Sequence, residues 1–342
     1  MMRHGRRWWA LALILIAPAA AGWNDTGHMI AALIAYDQLP STAREEASRL
    51  LRLHPRFRED FVASLPQNLV KATAAEQDRW YFAYAATWPD VARRFENAPV
   101  EARQALIAKY HRGSWHYINL PTYLRTSDRQ QIHQDAPSMT WSADLDDAHL
   151  NVVQVLQMLT GGWCSMRDAD RALALSWILH LIGDLHQPLH TTALFAVPAF
   201  IHGDRGGNDI LVVGGSNLHA LWDGALGDER RLPQVDAQAR DLGRATATES
   251  AKALQGDLQL NFRSWAKHGR YLASKIVYSP DVRAMLAAAS PSQPPRVVVD
   301  DRYRDAMSAA AERQIGLAGH RIVWVVEALL RQESATCTQA TQ

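Results

Sequence analysis

The sequence predicts a mainly α protein: a single large helical domain, broken once by a short β-hairpin or irregular loop near residues 203–219. Three observations carry this reading. Apolar residues recur at the helical period through most of the chain. Strand-like runs do not alternate with helices, so a Rossmann or barrel architecture is excluded. The stretch at residues 177–190, W-I-L-H-L-I-G-D-L-H-Q-P-L-H, is apolar on nearly every helical face and reads as a buried central helix.

The chain opens with Arg3, Arg6 and Arg7, an apolar run and then Ala19, Ala20, Ala21 and Gly22. This is the pattern of a secretory signal peptide over residues 1–22, cut before Trp23. The run is short for a membrane-spanning helix. The expected product is an exported domain, 23–335, with a polar tail, 336–342, in a periplasm or secreted further. Loss of residues 1–22 lowers Lys+Arg from 36 to 33 against 35 Asp+Glu, moving the formal charge from +1 to −2. Bulk charge therefore makes no case for nucleic-acid binding, and any such case is local.

Helices are expected in order over 27–38, then 42–54 with Ser41 as N-cap, since Glu45 and Glu46 fall in its first turns. They continue at 98–110 and at 145–159, which Gly161 and Gly162 end. The central helix spans 165–187, and Pro188 stops it. The Gly-rich 203–219 segment comes next, then helices over 236–254, 262–277 and 301–331, with a proline-rich surface loop at 291–295. The two cysteines, Cys164 and Cys337, exclude a thiolate metal site and in an exported protein can pair.

Chemistry enters through the central helix. His180 and Asp184, four apart, share one face with Cβ atoms about 5–6 Å apart. Beyond Pro188 the chain turns, so His190 approaches from another direction. Buried ionisable groups without partners are costly, and imidazole with carboxylate is a common zinc donor set. Other histidines and aspartates have recognisable settings: W-N-D-T-G-H with His28, T-W-P-D with Asp90, W-H-Y-I-N with His116, and N-L-H-A-L-W-D with His219 and Asp223. His28, His116, His180, His190, His219, Asp90, Asp184 and Asp223 are too many donors for one four-coordinate ion and suit two or three.

On W-N-D-T-G-H, H-Y-I-N, H-L-I-G-D-L-H-Q-P-L-H, G-G-N-D-I and N-L-H-A-L-W-D, in that order, the chain resembles the zinc-dependent single-strand nucleases, the S-one/P-one family. These are related to bacterial zinc phospholipases C, and the likeness runs from Trp23 to about Leu330. It implies a phospholipase C/nuclease-like fold and three Zn2+. One ion falls to Asp90, His116, His180 and Asp184. A second falls to His28, Asp184 and the freed amine and carbonyl of Trp23, with Asp184 bridging. The third falls to His190, His219 and Asp223. The implied catalytic set is Asp90, Asp184, Arg93 and Asn119, with Arg93, Asn208 and Tyr117 toward substrate. For Asn119 and Asn208 a turn role is the alternative, and for Arg93 simple solvent exposure.

The resemblance further implies an enzyme cleaving single-stranded RNA and DNA to 5′-phosphorylated products, with 3′-nucleotidase activity. It implies no stable protein partner, and a monomer. A phospholipase C on the same fold is the nearest alternative. Its usual longer gap from the N-terminal Trp to the first His, and its Glu as last ligand, differ from the five-residue gap and Asp223 here. A non-catalytic zinc-binding protein is a further alternative, which needs no bridging carboxylate. His186 is read as a packing group beside the site. His54, His111, His133, His149, His202, His268 and His320 are read as surface or capping groups. Tyr81, Tyr84 and Tyr117 are candidates for base stacking, with core packing as the competing role. After Trp265-Ala266-Lys267 the family usually continues Glu-Ser, where this chain has His268-Gly269.

Overall fold

A computed structural model of the protein describes residues 22–229, 231–256, 261–289 and 295–335. The expected signal peptide up to residue 21, residues 291–294 of the proline-rich loop, Cys337 and the tail 336–342 lie outside the described residues. Cys164 is disulfide-bonded.

The helices run in order α1 (Asp25–Gln38), α2 (Ser41–Leu51), α3 (Ala74–Ala85), α4 (Trp88–Val91), α5 (Val100–Tyr110), α6 (Thr126–Gln131) and α7 (Val152–Gly161). They continue with α8 (Asp168–Leu185), α9 (Leu218–Asp223), α10 (Leu232–Gly256), α11 (Phe262–Leu272), α12 (Pro280–Ala288) and α13 (Asp301–Ala335). The strands are short: β1 (Leu120–Tyr123) pairs in parallel with β2 (Thr192–Phe195), and β3 (Leu211–Val212) with β4 (Arg296–Val297). The fold is mainly α, as expected.

Two helices organise the core. α1 is buried from Thr26 to Tyr36 because α3, α8, α10 and α13 all pack around it. α8 is buried from Ala174 to Leu185, among α2, α3, α4, α7 and α13. A smaller core gathers Phe200, Ile210, Trp222, Tyr278 and Val297 beneath the 203–219 segment.

Several expectations are corrected. Ser41 is the first residue of α2 rather than its cap, because Pro40 precedes it in an extended conformation and no side chain caps the helix. The helix expected from 145 begins at Val152. There Asn151 and Gln154 form a reciprocal capping box, and residues 147–149 make only a short 3-10 turn. The 203–219 segment, expected as a short β-hairpin or irregular loop, is mostly irregular: β3 pairs with the distant β4, and the antiparallel bridge Leu211–Asn217 closes a tight turn in which Val212 N donates to Ser216 O and Leu218 N to Ile210 O. α3 and α12 have no counterpart among the expected helices, although their caps are local. Thr73 and Glu76 cap α3 reciprocally, and Ser279 caps α12 ahead of Pro280.

Candidate metal centre

α8 delivers His180 and Asp184 on one face, both without exposed surface. α1 lies against that face, and the His28 ring stacks on His180 with centroids 4.0 Å apart. Its Nε2 is 3.4 Å from Asp184 Oδ1. Gly183 permits this approach, since a Cβ there would sit 2.7 Å from His28 Nδ1. Asn24 fixes the start of α1 by accepting from Gly27 N, and its own N–H reaches Asp223 O at 3.2 Å.

His116 enters from the 3-10 turn Gly113–His116. Its Nδ1 is 3.0 Å from both Asp184 Oδ2 and His180 Nε2. His180 donates from Nδ1 to Ala86 O at 2.7 Å, which leaves Nε2 as the ring atom facing the centre. Asp90, in α4, completes a set in which one donor atom each from Asp90, His116 and His180 lies within 4.8 Å of the others. His28, His180 and Asp184 form a second such set. His180 thus borders both, whereas the family pattern led us to expect only Asp184 between them.

The third set is His190, His219 and Asp223. The β1–β2 ladder begins just beyond His116 and His190 and ties them together: Ile118 N donates to His190 O at 2.8 Å, and His190 Nδ1 to His116 O at 2.7 Å. His219 Nδ1 donates to Gly206 O at 2.6 Å. Gly206 has φ +61°, and a Cβ there would meet Leu189 O at 2.6 Å, so the G-G-N-D motif needs its glycine. Asp204 is a buried residue that sequence reasoning missed. It accepts from Leu194 N (2.8 Å) and Tyr278 Oη (2.6 Å) and so bolts this loop to β2 and the smaller core. Burial raises its carboxyl to about 6.

The donor chemistry fits cations. Among the described residues, His28 Nδ1 and Nε2, His116 Nε2 and Asp184 Oδ1 are buried without a hydrogen-bond partner. Burial favours neutral His28 and His116 and lowers both pKa values. Burial acts the same way on His180, but Asp184 and Asp90 together outweigh it and raise that ring to about 9. Burial opposes ionisation of Asp184, yet His180 and His190 hold it well below the ordinary carboxylate range. Asp223 is pushed well above that range by burial, with Gln187 Nε2, at 2.7 Å from Oδ1, pulling the other way. Buried carboxylates that hold a proton on a ring, beside lone pairs aimed inward, are what a metal ion would satisfy.

The centre opens on a cleft of about 180 Å3 bordered by Arg93, Tyr117, Asn119 and Asn208 together with His190 and His219. All four residues assigned to substrate or phosphate orientation therefore meet there. Arg93 Nη1 is 3.1 Å from Asp90 Oδ1, Tyr117 is 42% exposed at the lip, and Asn208 also makes a turn contact to Arg205 O at 2.8 Å. Tyr81 and Tyr84 are core groups instead: Tyr81 meets Phe57, and Tyr84 stacks on Trp80.

Two histidines read as surface or capping groups are not surface groups, although His111 is the C-cap residue of α5. His54 is buried edge-on against Trp88, with centroids 4.4 Å apart. His111 is half-buried and borders the cleft, with burial lowering its pKa to about 4. Neither has a local sequence signal, since both positions are set by chain segments far apart. His186 is a buried packing group, as expected. It donates from Nδ1 to Ile182 O and accepts from Arg321 Nη1 at 2.7 Å. The His268-Gly269 departure has a packing basis: a Cβ on Gly269 would lie 2.6 Å from Thr191 Oγ1, beside His190.

Fold and site together define a class: a helical protein whose buried histidine–carboxylate sets can hold metal ions beneath an open cleft. The family model described as S1/P1 Nuclease matches residues 23–331, and the chain belongs to that family. It is 24% identical to Nuclease S1 of Aspergillus oryzae over 222 residues, 64% of this chain and 59% of that protein. Endonuclease 2 of Arabidopsis thaliana is 26% identical over 287 residues, 80% of this chain and 76% of that protein. Endonuclease 5 of the same plant is 23% identical over 280 residues, 78% of this chain and 82% of that protein.

Proposed function

We propose that the protein is an exported zinc-dependent endonuclease. On this reading it hydrolyses single-stranded RNA and DNA to 5′-phosphorylated products, has 3′-nucleotidase activity and acts as a monomer. The observation that carries the reading is the position of Asp184. Its Oδ2 faces His116 (3.0 Å) and His180 (3.2 Å) while Oδ1 faces His28 (3.4 Å), so one carboxylate stands between two donor sets.

Asp90, His116, His180 and Asp184 would hold one zinc ion, Trp23, His28 and Asp184 a second, and His190, His219 and Asp223 a third. Zinc bound there supplies Lewis acidity toward phosphoryl oxygens and a water ionised near neutral pH. The chain does the rest. Arg93 meets a non-bridging phosphate oxygen, a task suited to its planar donor fork. Asn119 and Asn208 orient the same phosphate, and Tyr117 stacks the adjoining base. A single strand can splay its bases into such a cleft, whereas a duplex must first unstack.

The N-terminus supports coupling of activity to export. A Cβ on Gly22 would fall 1.5 Å from Asp184 Oδ1 and 3.2 Å from His190 Cε1. The backbone before Trp23 therefore occupies space among the donors. Cleavage after Gly22 clears it and converts the Trp23 peptide nitrogen, a poor donor, into an amine with a reference pKa of about 7.7–8.0.

The test is an activity panel on the processed protein, with single-stranded DNA and RNA, duplex DNA, 3′-nucleotides and phosphatidylcholine. Fast turnover of single strands and of 3′-nucleotides is expected. Preference for duplex, or for phosphatidylcholine, overturns the reading. Equal zinc content and activity in a protein retaining residues before Trp23 overturns the processing step alone.

A further inference from the structure

The segment that carries His116 is a wall with two sides. On one side His111, Gly113 and Tyr117 border the cleft of the metal centre. On the other, Tyr110, Arg112 and Trp115 border a separate cavity of about 380 Å3, backed by Leu173 and Trp177 of α8. That size lies within the range of about 300–1,000 Å3 usual for small-ligand sites. The Trp177 ring also meets His116, with centroids 5.4 Å apart, so a single aromatic ring separates this cavity from a candidate ligand.

Its walls suit a flat apolar ring, and its rim suits an anion. Trp115 and Trp177 pack edge to face with centroids 4.8 Å apart, and both are buried, so their positions are set before any ligand arrives. At the rim, Lys109 Nζ lies 5.0 Å from the Tyr110 ring centre, and the Arg112 guanidinium lies 5.9 Å over Trp115. Arg112 donates to the carbonyls of Ala108 and His111. Among the described residues neither cation forms an ion pair with a carboxylate. The one acid bordering the cavity, Asp170, is offset by Arg167 at 2.9 Å. The rim is left with a net positive charge beside aromatic walls, the combination that holds single-stranded nucleic acid by base contact and phosphate attraction.

We propose that this cavity is a nucleobase subsite for a nucleotide beyond the pair that flanks the scissile phosphate, with Lys109 and Arg112 on that nucleotide's phosphate. The inference rests on the nuclease reading above and gives it a dependence on strand length. A dinucleotide fills the cleft alone, while a longer strand passes the Arg112–Gly113 ridge and seats a further base between Trp115 and Leu173.

The test compares KM of the zinc-loaded enzyme for a deoxyadenosine dinucleotide and for a single-stranded deoxyadenosine octamer. The wild-type KM is expected to be about tenfold lower for the octamer, the effect of one additional seated base. Leu173→Trp fills the cavity and should erase that advantage by raising the octamer KM. Lys109→Glu, at an exposed position where folding is not at stake, should shrink it. No length advantage in the wild type, or an advantage kept by both variants, overturns the subsite while leaving the nuclease reading intact. A wild-type enzyme that cleaves neither oligonucleotide overturns both.

Discussion

The Nε2 atoms of His190 and His219 face each other 3.0 Å apart, and each ring already donates from Nδ1 to a backbone carbonyl. A neutral imidazole that donates from Nδ1 carries a lone pair on Nε2. With both Nδ1 donors spent on carbonyls, the two Nε2 atoms and Asp223 Oδ1, 3.5 Å from His219 Nε2, converge on one point, an arrangement that a shared cation would satisfy. On the proposed three-ion reading, His219→Ala should therefore lose about one zinc ion in three, the ion assigned to the third donor set. Elemental analysis checks this, and an unchanged zinc content would remove the third site.

Asp184→Asn acts on two sets at once. It should release more than one ion and abolish turnover, because an amide neither offers two anionic oxygens nor balances the cations. His186→Ala, two residues along, should keep every ion. It leaves Arg321 without its acceptor on His186 and should cost about 1–3 kcal/mol of stability. Zinc content and thermal denaturation of the two variants separate these effects. Retention of all zinc in the asparagine variant would refute the bridging role.

Gly183→Ala tests the contact between α1 and α8. The added methyl would meet His28 Nδ1 at 2.7 Å, between two buried helices that cannot separate freely. The expected outcome is a loss of about 1–3 kcal/mol, as for overpacked cores, and weaker retention of the ion assigned to His28. Competition with a graded zinc chelator reads the second effect. A variant with wild-type stability and zinc affinity would show that the contact relaxes at no cost.

Acid should destabilise the fold through His54, away from the centre. Burial, with Arg56 adding to it, lowers this ring's pKa to about 3 from an ordinary value of 6.5. Below pH 6.5 the unfolded chain takes up the proton and the folded chain does not. The stability is therefore whole above 6.5 and lost as pH falls toward 3, at up to about 1.4 kcal/mol per unit. His54→Asn keeps an acceptor for Arg56 N without a titrating ring. Urea unfolding of the zinc-free proteins should show a shallower decline for the variant from about pH 7 to about pH 5. Parallel declines would place the acid sensitivity elsewhere.

Periodicity and local chain chemistry are the part of this protein that its sequence determined alone. The helical class is readable because apolar spacing reports which face of each helix is buried. His180 and Asp184 are readable as a pair because the helix period alone puts them together, and Pro188 announces the turn that frees His190. The donor inventory is legible as well, since each histidine or aspartate sits in a recognisable short motif. The tertiary structure decided everything that depends on contacts between distant segments. Such contacts are His28 stacking on His180, the parallel ladder that fixes His116 against His190, and Asp204 anchoring the loop under His219. His54 and His111 escape a sequence reading for the same reason: neither has a local signal, and their burial is set by Trp88 and by the turn carrying His116. A parallel pairing leaves no turn between its strands to announce it. Side-chain burial depends on which helices cross, so the distances that make this donor set a centre exist only once the chain has folded.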